Sequence, residues 1–207
     1  MADRRNEKTT LGRVFWIVIA AIGSAWLVYS GLRGYIEYWM GYSFSNNFFR
    51  YLINPAAFNL VKFAAGCTFF AIMIRDLGPL GKGFSIVGMI FSMITAIFYM
   101  IGLFDSVKAA FFSGNVGTFI ERITSASLLT YLAYSILLVG MMLFFIAGIN
   151  QRRGGRAKRI VLIIGAVIVY ALSLVRGIID NSAVTLGIVF SHTFFDCLAY
   201  IAIAIAV

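Results

Sequence analysis

The chain consists largely of apolar runs of about twenty residues separated by short polar connections, and no other feature limits its fold so tightly. A run of that length is ~30 Å long as a helix, the thickness of a bilayer's hydrocarbon core. Lipid offers no water to backbone N–H and C=O groups, so each run must satisfy its own, which a helix does. Six runs are readable, at 14–33, 56–74, 84–104, 123–149, 160–178 and 183–207. The fourth is longer than a perpendicular crossing needs and is expected to tilt. The expected fold class is all-α, a polytopic integral membrane bundle of six transmembrane helices with both termini cytoplasmic. Residues 1–13 are a basic cytoplasmic leader and 14–207 a single transmembrane domain, with no room for a separate soluble one.

Charge agrees with that assignment. Only 12% of residues are charged against 61% hydrophobic, far from a soluble domain. A net charge of +9 would point to nucleic acid in a soluble protein, but the basic residues stand at the ends of apolar runs, so no nucleic-acid partner is expected. Eleven of the seventeen fall on one side if the N-terminus is cytoplasmic: Arg4, Arg5, Lys8 and Arg13, then Arg75 and Lys82, then the cluster between Arg152 and Arg159. That bias, without a transit peptide, favours the plasma membrane of a bacterium or archaeon. The first run is long, holds Trp16 and Trp26 and has no small-x-small cleavage site, so it reads as a retained span rather than a signal peptide.

The opposite side receives the longer connections. Gly34 to Pro55 is dense in Tyr, Trp and Phe, which predicts a short helix at headgroup level. Asp105 to Arg122 reads as an amphipathic turn and loop. Together they would roof an outward-facing polar cavity.

Within the spans, small and polar residues recur at helical spacing. The third has Ser85, Gly88, Ser92, Thr95, Tyr99 and Gly102; the fifth has Ala166, Tyr170, Ser173, Gly177 and Asp180. Ser127, Tyr131 and Ser135 mark the fourth, and Ala21 with Ala25 the first. Close helix packing explains each stripe. A polar seam is expected mainly from the third, fifth and sixth helices.

The sixth run carries more than packing requires. Asp196 sits near its centre, four residues after His192, the single histidine. A carboxylate at mid-membrane costs about 3 kcal/mol or more and is rarely there without a partner or a task. As one helix, the run puts Asn181, Thr185, His192, Asp196 and Tyr200 within about a 100° arc. Lys62, about two turns into the second run, is the leading counter-charge. The expected ion- or solute-binding set is therefore Asp196, His192, Lys62, Tyr200 and Thr185, the alternative being an internal Asp196–Lys62 ion pair that only fixes helix register. Arg33 with Glu37, and Arg176 with Asp180, are spaced i to i+4 at the outer boundary and are expected as mouth charges.

Other chemistries lack their residues. One His and one Asp fall short of a zinc site, and two-histidine haem ligation is excluded by count, so neither metal nor cofactor is expected. Gly78 to Gly83 lacks phosphate-loop spacing. Cys67 and Cys197 lie deep in apolar runs and read as free thiols. Enzymatic activity is disfavoured, because no second acid or nucleophile clusters with Asp196.

Asn54-Pro55-Ala56 looks like the aquaporin signature, and Asn181-Ser182-Ala183 like a degenerate copy. Only one span precedes the first, however, and the second lacks its proline and following arginine. In gross form the chain resembles the substrate-binding subunits of energy-coupling-factor vitamin transporters: about 200 residues, six spans, cytoplasmic termini and an Ala21-x-x-x-Ala25 face. That resemblance implies an outward binding pocket and a partner subunit. The expected function is transport of an ion or small polar solute through an outward-facing cavity, with the intramembrane carboxylate as key site. The alternative is a non-catalytic membrane subunit that stabilises a larger complex. Expected partners are the lipid bilayer and other membrane subunits or further copies of the chain.

Overall fold

The computed structural model describes residues 2–40, 56–74, 78–112, 114, 116–118, 126–150, 156–181 and 185–206. Among the described residues the main helices are, in order, α1 (Ala2–Met40), α2 (Ala56–Met73), α3 (Gly78–Phe111), α4 (Ala126–Ile149), α5 (Arg156–Asn181), α6 (Leu186–Val189) and α7 (His192–Ala206). No strand occurs among the described residues. Among the described residues, five stretches are long and apolar enough to cross a membrane: Val14–Glu37, Pro79–Phe111, Leu128–Ile149, Arg159–Ile178 and Leu186–Ala206. The chain is thus a multi-pass membrane protein by length and composition. Ala57–Met73, read from sequence as the second span, is apolar but shorter.

The helices outrun the apolar stretches that predict them. α1 is continuous from Ala2 to Met40 and includes the basic leader. α3 runs on to Phe111, so 105–111, expected as a turn, is helix. Beyond its end Gly114 takes a left-handed φ of 68°, a conformation that glycine adopts without strain. The interfacial helix expected over 34–55 is answered only to Met40, and 41–55, with Asn54 and Pro55, lies outside the described residues. The connection 151–155 does too.

The helices close into a ring in chain order. α1 packs on α2, α2 on α3, α3 on α4, α4 on α5, α5 on α7, and α7 returns to α1. Neighbours run antiparallel, as paired positions show. A Cβ on Gly31 would lie 2.5 Å from Asn59 O and one on Gly66 the same distance from Ser24 O, so α1 descends as α2 ascends. Gly81 faces Ala71 and Ser85 faces Thr68 across α2 and α3. Gly140 meets Leu162 and Gly165 meets Leu137 across α4 and α5; Gly23 meets Ala199 across α1 and α7. The N-terminal end of α1 and the C-terminal end of α7 therefore share one end of the ring.

Small residues set these contacts, since apolar side chains gain little by leaving lipid for one another. The α3 stripe is buried at Ser85, Ser92 and Thr95, and Gly88 lies under the Phe145 ring. Ser85 Oγ donates to Gly81 O at 2.7 Å and lies 3.3 Å from Thr68 Oγ1. Leu137, Leu138, Met141 and Phe145 on α4 fill the interior, while Ile90, Met93, Ile97 and Phe104 on α3 face outward. The α1 stripe is corrected: Ala25 is exposed, and the close approaches are made by Gly23, Ser24 and Gly31, because helix α1 faces α2 and α7 on the side those residues occupy.

The last apolar run is also corrected. It is not one helix but two, α6 and α7, separated at Phe190 and Ser191. Thr185 precedes α6 and is exposed, and Asn181 ends α5. The single ionisable arc expected from Asn181 to Tyr200 is therefore cut, and its periodicity holds only from His192 onward.

Candidate functional site

Three helices converge on Asp196. α7 carries it one turn in from His192, α1 brings Trp26 and α2 brings Lys62. The Asp196 residue is 7% exposed. Its Oδ2 forms an ion pair with Lys62 Nζ, and its Oδ1 accepts a hydrogen bond from Trp26 Nε1 at 2.9 Å. Each carboxylate oxygen thus has a donor from a different helix, which offsets the cost of a charge in an apolar bundle. Lys62 Nζ lies 5.4 Å from the centroid of the Phe58 ring, within cation–π range. Behind it Phe58 packs edge-on to Tyr134, which stacks on Tyr99 at 5.2 Å, so aromatic rings close the ring's interior on that side.

A cavity of about 390 Å³ opens over the ion pair, within the size range of small-molecule sites. Lys62, Asp196 and Trp26 form its floor; Tyr29, Ser30 and His192 wall it; Arg33, Gly34 and Glu37 make the rim. From Trp26 to Glu37 helix α1 rises about 16 Å at 1.5 Å per residue. At the rim Arg33 Nε donates to Glu37 Oε1 at 2.6 Å, and its Nη1 donates to Tyr29 Oη at 3.2 Å. The His192 imidazole lies parallel to the Trp26 indole, with centroids 5.6 Å apart and planes at 12°. One cavity therefore holds two positive and two negative side chains, a histidine and two aromatic rings.

The break in the last span lies beside this cavity. Phe190 adopts φ −97° and ψ 42°, which ends α6, and α7 starts two residues later. The carbonyl freed at Val189 accepts a hydrogen bond from Tyr170 Oη on α5 at 3.0 Å, and Ser191 O accepts from Phe194 N at 2.9 Å. Irregular backbone at membrane depth is tolerated where protein satisfies it or where it lines a cavity, and such interrupted helices commonly frame binding sites.

No protein family, curated protein or solved structure matches this chain. Its functional reading rests on the geometry and chemistry of the cavity. No group of three or more His, Cys, Asp or Glu side chains able to hold a metal occurs among the described residues. Cys67 and Cys197 are free thiols.

The residues singled out from sequence separate into two groups. Asp196, His192 and Lys62 meet, and Arg33 and Glu37 line the rim of the same cavity. Tyr200 does not line it: the residue is 1% exposed, one turn deeper, and its Oη has no hydrogen-bond partner among the described residues. Thr185 stands apart before α6. Arg176 lines a smaller cavity of about 100 Å³ with Thr130, Tyr134 and Ser173, between α4 and α5. The side chain of Asp180 lies outside the described residues. The seam expected from the third, fifth and sixth spans is replaced by one built from the first, second and last, because the α3 polar stripe is spent on packing against α2 and α4. Sequence reasoning missed Trp26, Tyr29 and Ser30. Trp26, Tyr29, Arg33 and Glu37 recur every three or four residues on one face of α1, a polar and aromatic stripe that periodicity could have found.

Proposed function

We propose that this protein binds and moves an ion or small polar solute across the membrane, with the cavity of Lys62, Asp196, His192, Arg33 and Glu37 as its site. The observation that carries the reading is a buried, cross-helix ion pair at the floor of an open cavity in a largely apolar ring. Intramembrane ionisable groups that face water-accessible space mark solute and ion pathways. The interrupted helix beside the cavity adds support, since it gives the α7 segment a point at which to shift.

The proposed arrangement has six spans, α2 included, in a bacterial or archaeal plasma membrane. Arg13, Lys82 and Arg159 lie toward the end of the ring shared by the N-terminal end of α1, and the positive-inside bias assigns that end to the cytoplasm. The cavity then opens outward. Asp196 binds the cation or the cationic end of a solute, Lys62 is its resident counter-charge, and His192 donates or accepts a hydrogen bond at the wall.

The test is flux into proteoliposomes, read for protons with an entrapped pH dye and for sodium and potassium with tracer ions. The native chain is compared with Asp196→Asn and with the charge-free pair Lys62→Met, Asp196→Leu. Flux lost in both variants while they remain folded supports the reading. Flux absent from every protein, with all three co-purifying in the same multi-subunit complex, transfers the role to that of a non-catalytic subunit.

A further inference from the structure

A second cavity adjoins the charged one. It is a groove of about 450 Å³ on the outer surface of the ring between α1 and α7. Ile19, Ile22 and Gly23 form one side, Leu198 and Ala199 the other, with Phe195 and Trp26 at one end. At the bottom of the groove the two helices touch, because Gly23 has no side chain: a Cβ there would lie 2.8 Å from Ala199 Cα. Trp26 lines both cavities, so its indole is the common wall between an apolar groove and a charged chamber.

The order of polarity along α1 is that of a lipid in a leaflet. Residues 19–26 bound the apolar groove over about 10 Å toward mid-membrane, and residues 26–37 bound the charged chamber over about 16 Å toward the helix's C-terminal end. The chamber's charges are balanced, Arg33 and Lys62 against Glu37 and Asp196. Arg33 commits two of its five N–H donors, to Glu37 and Tyr29, and Lys62 commits one of three to Asp196, so both cations keep donors for an anion. A phosphate suits those donors, and an ammonium suits the carboxylates and the faces of Trp26 and Tyr29. A simple cation or anion would use half of this set and nothing of the groove.

We infer that the solute is an amphiphile, a zwitterionic phospholipid whose headgroup occupies the chamber and whose acyl chain lies in the α1–α7 groove. It enters sideways from the leaflet, past Trp26. The inference rests on the chamber being the binding site and gives that site a substrate class.

The test titrates three probes onto the native chain in a non-ionic detergent, read by native mass spectrometry. Palmitoyl lysophosphatidylethanolamine has headgroup and tail, glycerophosphoethanolamine has the headgroup alone, and monopalmitoylglycerol has a tail without charge. The lysophospholipid is expected to bind saturably, at least about tenfold more tightly than either partial probe. Ile22→Trp and Leu198→Trp, both at exposed positions, fill the groove and should weaken it about tenfold or more, and Arg33→Gln with Glu37→Gln should do the same from the chamber. If glycerophosphoethanolamine binds as well as the lysophospholipid and the groove variants bind it normally, the amphiphile inference falls and the chamber remains a polar-solute site. Equal binding of monopalmitoylglycerol overturns the inference too, since the groove is then an unselective tail site. If no probe binds but ion flux depends on Asp196, the inference fails while the transport reading stands; if flux is absent as well, both fail.

Discussion

Asp196 and Lys62 are stable in the bundle only as a pair. Removing one member leaves the other charge desolvated, a loss of about 3–5 kcal/mol for buried pairs, whereas replacing both with apolar groups of similar volume is often neutral. Asp196→Leu should therefore lower stability by about that amount, and Lys62→Met with Asp196→Leu should recover most of it. Denaturant unfolding in micelles, run as a double-mutant cycle, measures both. Trp26→Phe separates the indole's hydrogen bond from its packing: it keeps an aromatic ring beside His192 but deletes the donor to Asp196 Oδ1. A bond to a charged group is worth about 1.5–3 kcal/mol, so the variant should lose stability in that range. This loss should vanish in the charge-free double variant, where Trp26 has no carboxylate to serve. At this scale the sequence was half legible. An Asp in an apolar run announces itself, and Lys62 is the one basic residue deep inside another. Trp26 does not, because a tryptophan in a membrane span is ordinary and its partner lies 170 positions away.

Helix contacts in this ring depend on what is missing from side chains as much as on what is present. Gly23→Ala adds a Cβ that would sit 2.8 Å from the Ala199 backbone, so α1 and α7 must separate, a cost of about 1–3 kcal/mol for overpacking. Gly83→Ala makes the opposite case. It lies in α3 with nothing within 4 Å of the added Cβ, and better helix propensity should stabilise it by about 0.5–1 kcal/mol. The pair of measurements, by unfolding in the same micelles, tests whether glycines in this chain are contacts or merely helix residues. The break before α7 belongs to the same scale. Tyr170→Phe removes the donor to Val189 O and should raise amide exchange around 188–195 without altering exchange in α4. The sequence hid this break because hydropathy is continuous from 183 to 207, and its only local signs are Gly187 and Ser191. Apolar periodicity reports which segments enter lipid; it does not report where a helix is interrupted and its carbonyls are handed to a distant tyrosine.

The ring as a whole was read from sequence as far as its helices, and no further. Run lengths and composition dictate helices, but which helix neighbours which depends on side-chain fit that a single chain does not display, and so of the three spans expected to build the polar seam only the last does. The decisive element for the whole is α2. Its apolar stretch, Ala57–Met73, is about 26 Å long at 1.5 Å per residue, a few ångströms short of an average hydrocarbon core. A short helix can still cross if the bilayer thins locally or flanking residues reach the interface. Packing argues that it does, because α2 lies in the ring antiparallel to both α1 and α3 and carries Lys62 to the cavity floor. If α2 crosses, Lys82 at the start of α3 returns to the side of the N-terminal end of α1, while Glu37 lies on the other. Replacing Cys67 and Cys197 with serine gives a background for single cysteines at Lys82 or Glu37, labelled in sealed vesicles of known orientation with an impermeant maleimide. Lys82→Cys and Glu37→Cys should label from opposite faces, Glu37→Cys from the outer one. Labelling of both from the same face would mean that α2 does not cross. The ring would then have an odd number of crossings, and the cavity would need a different path to the outside.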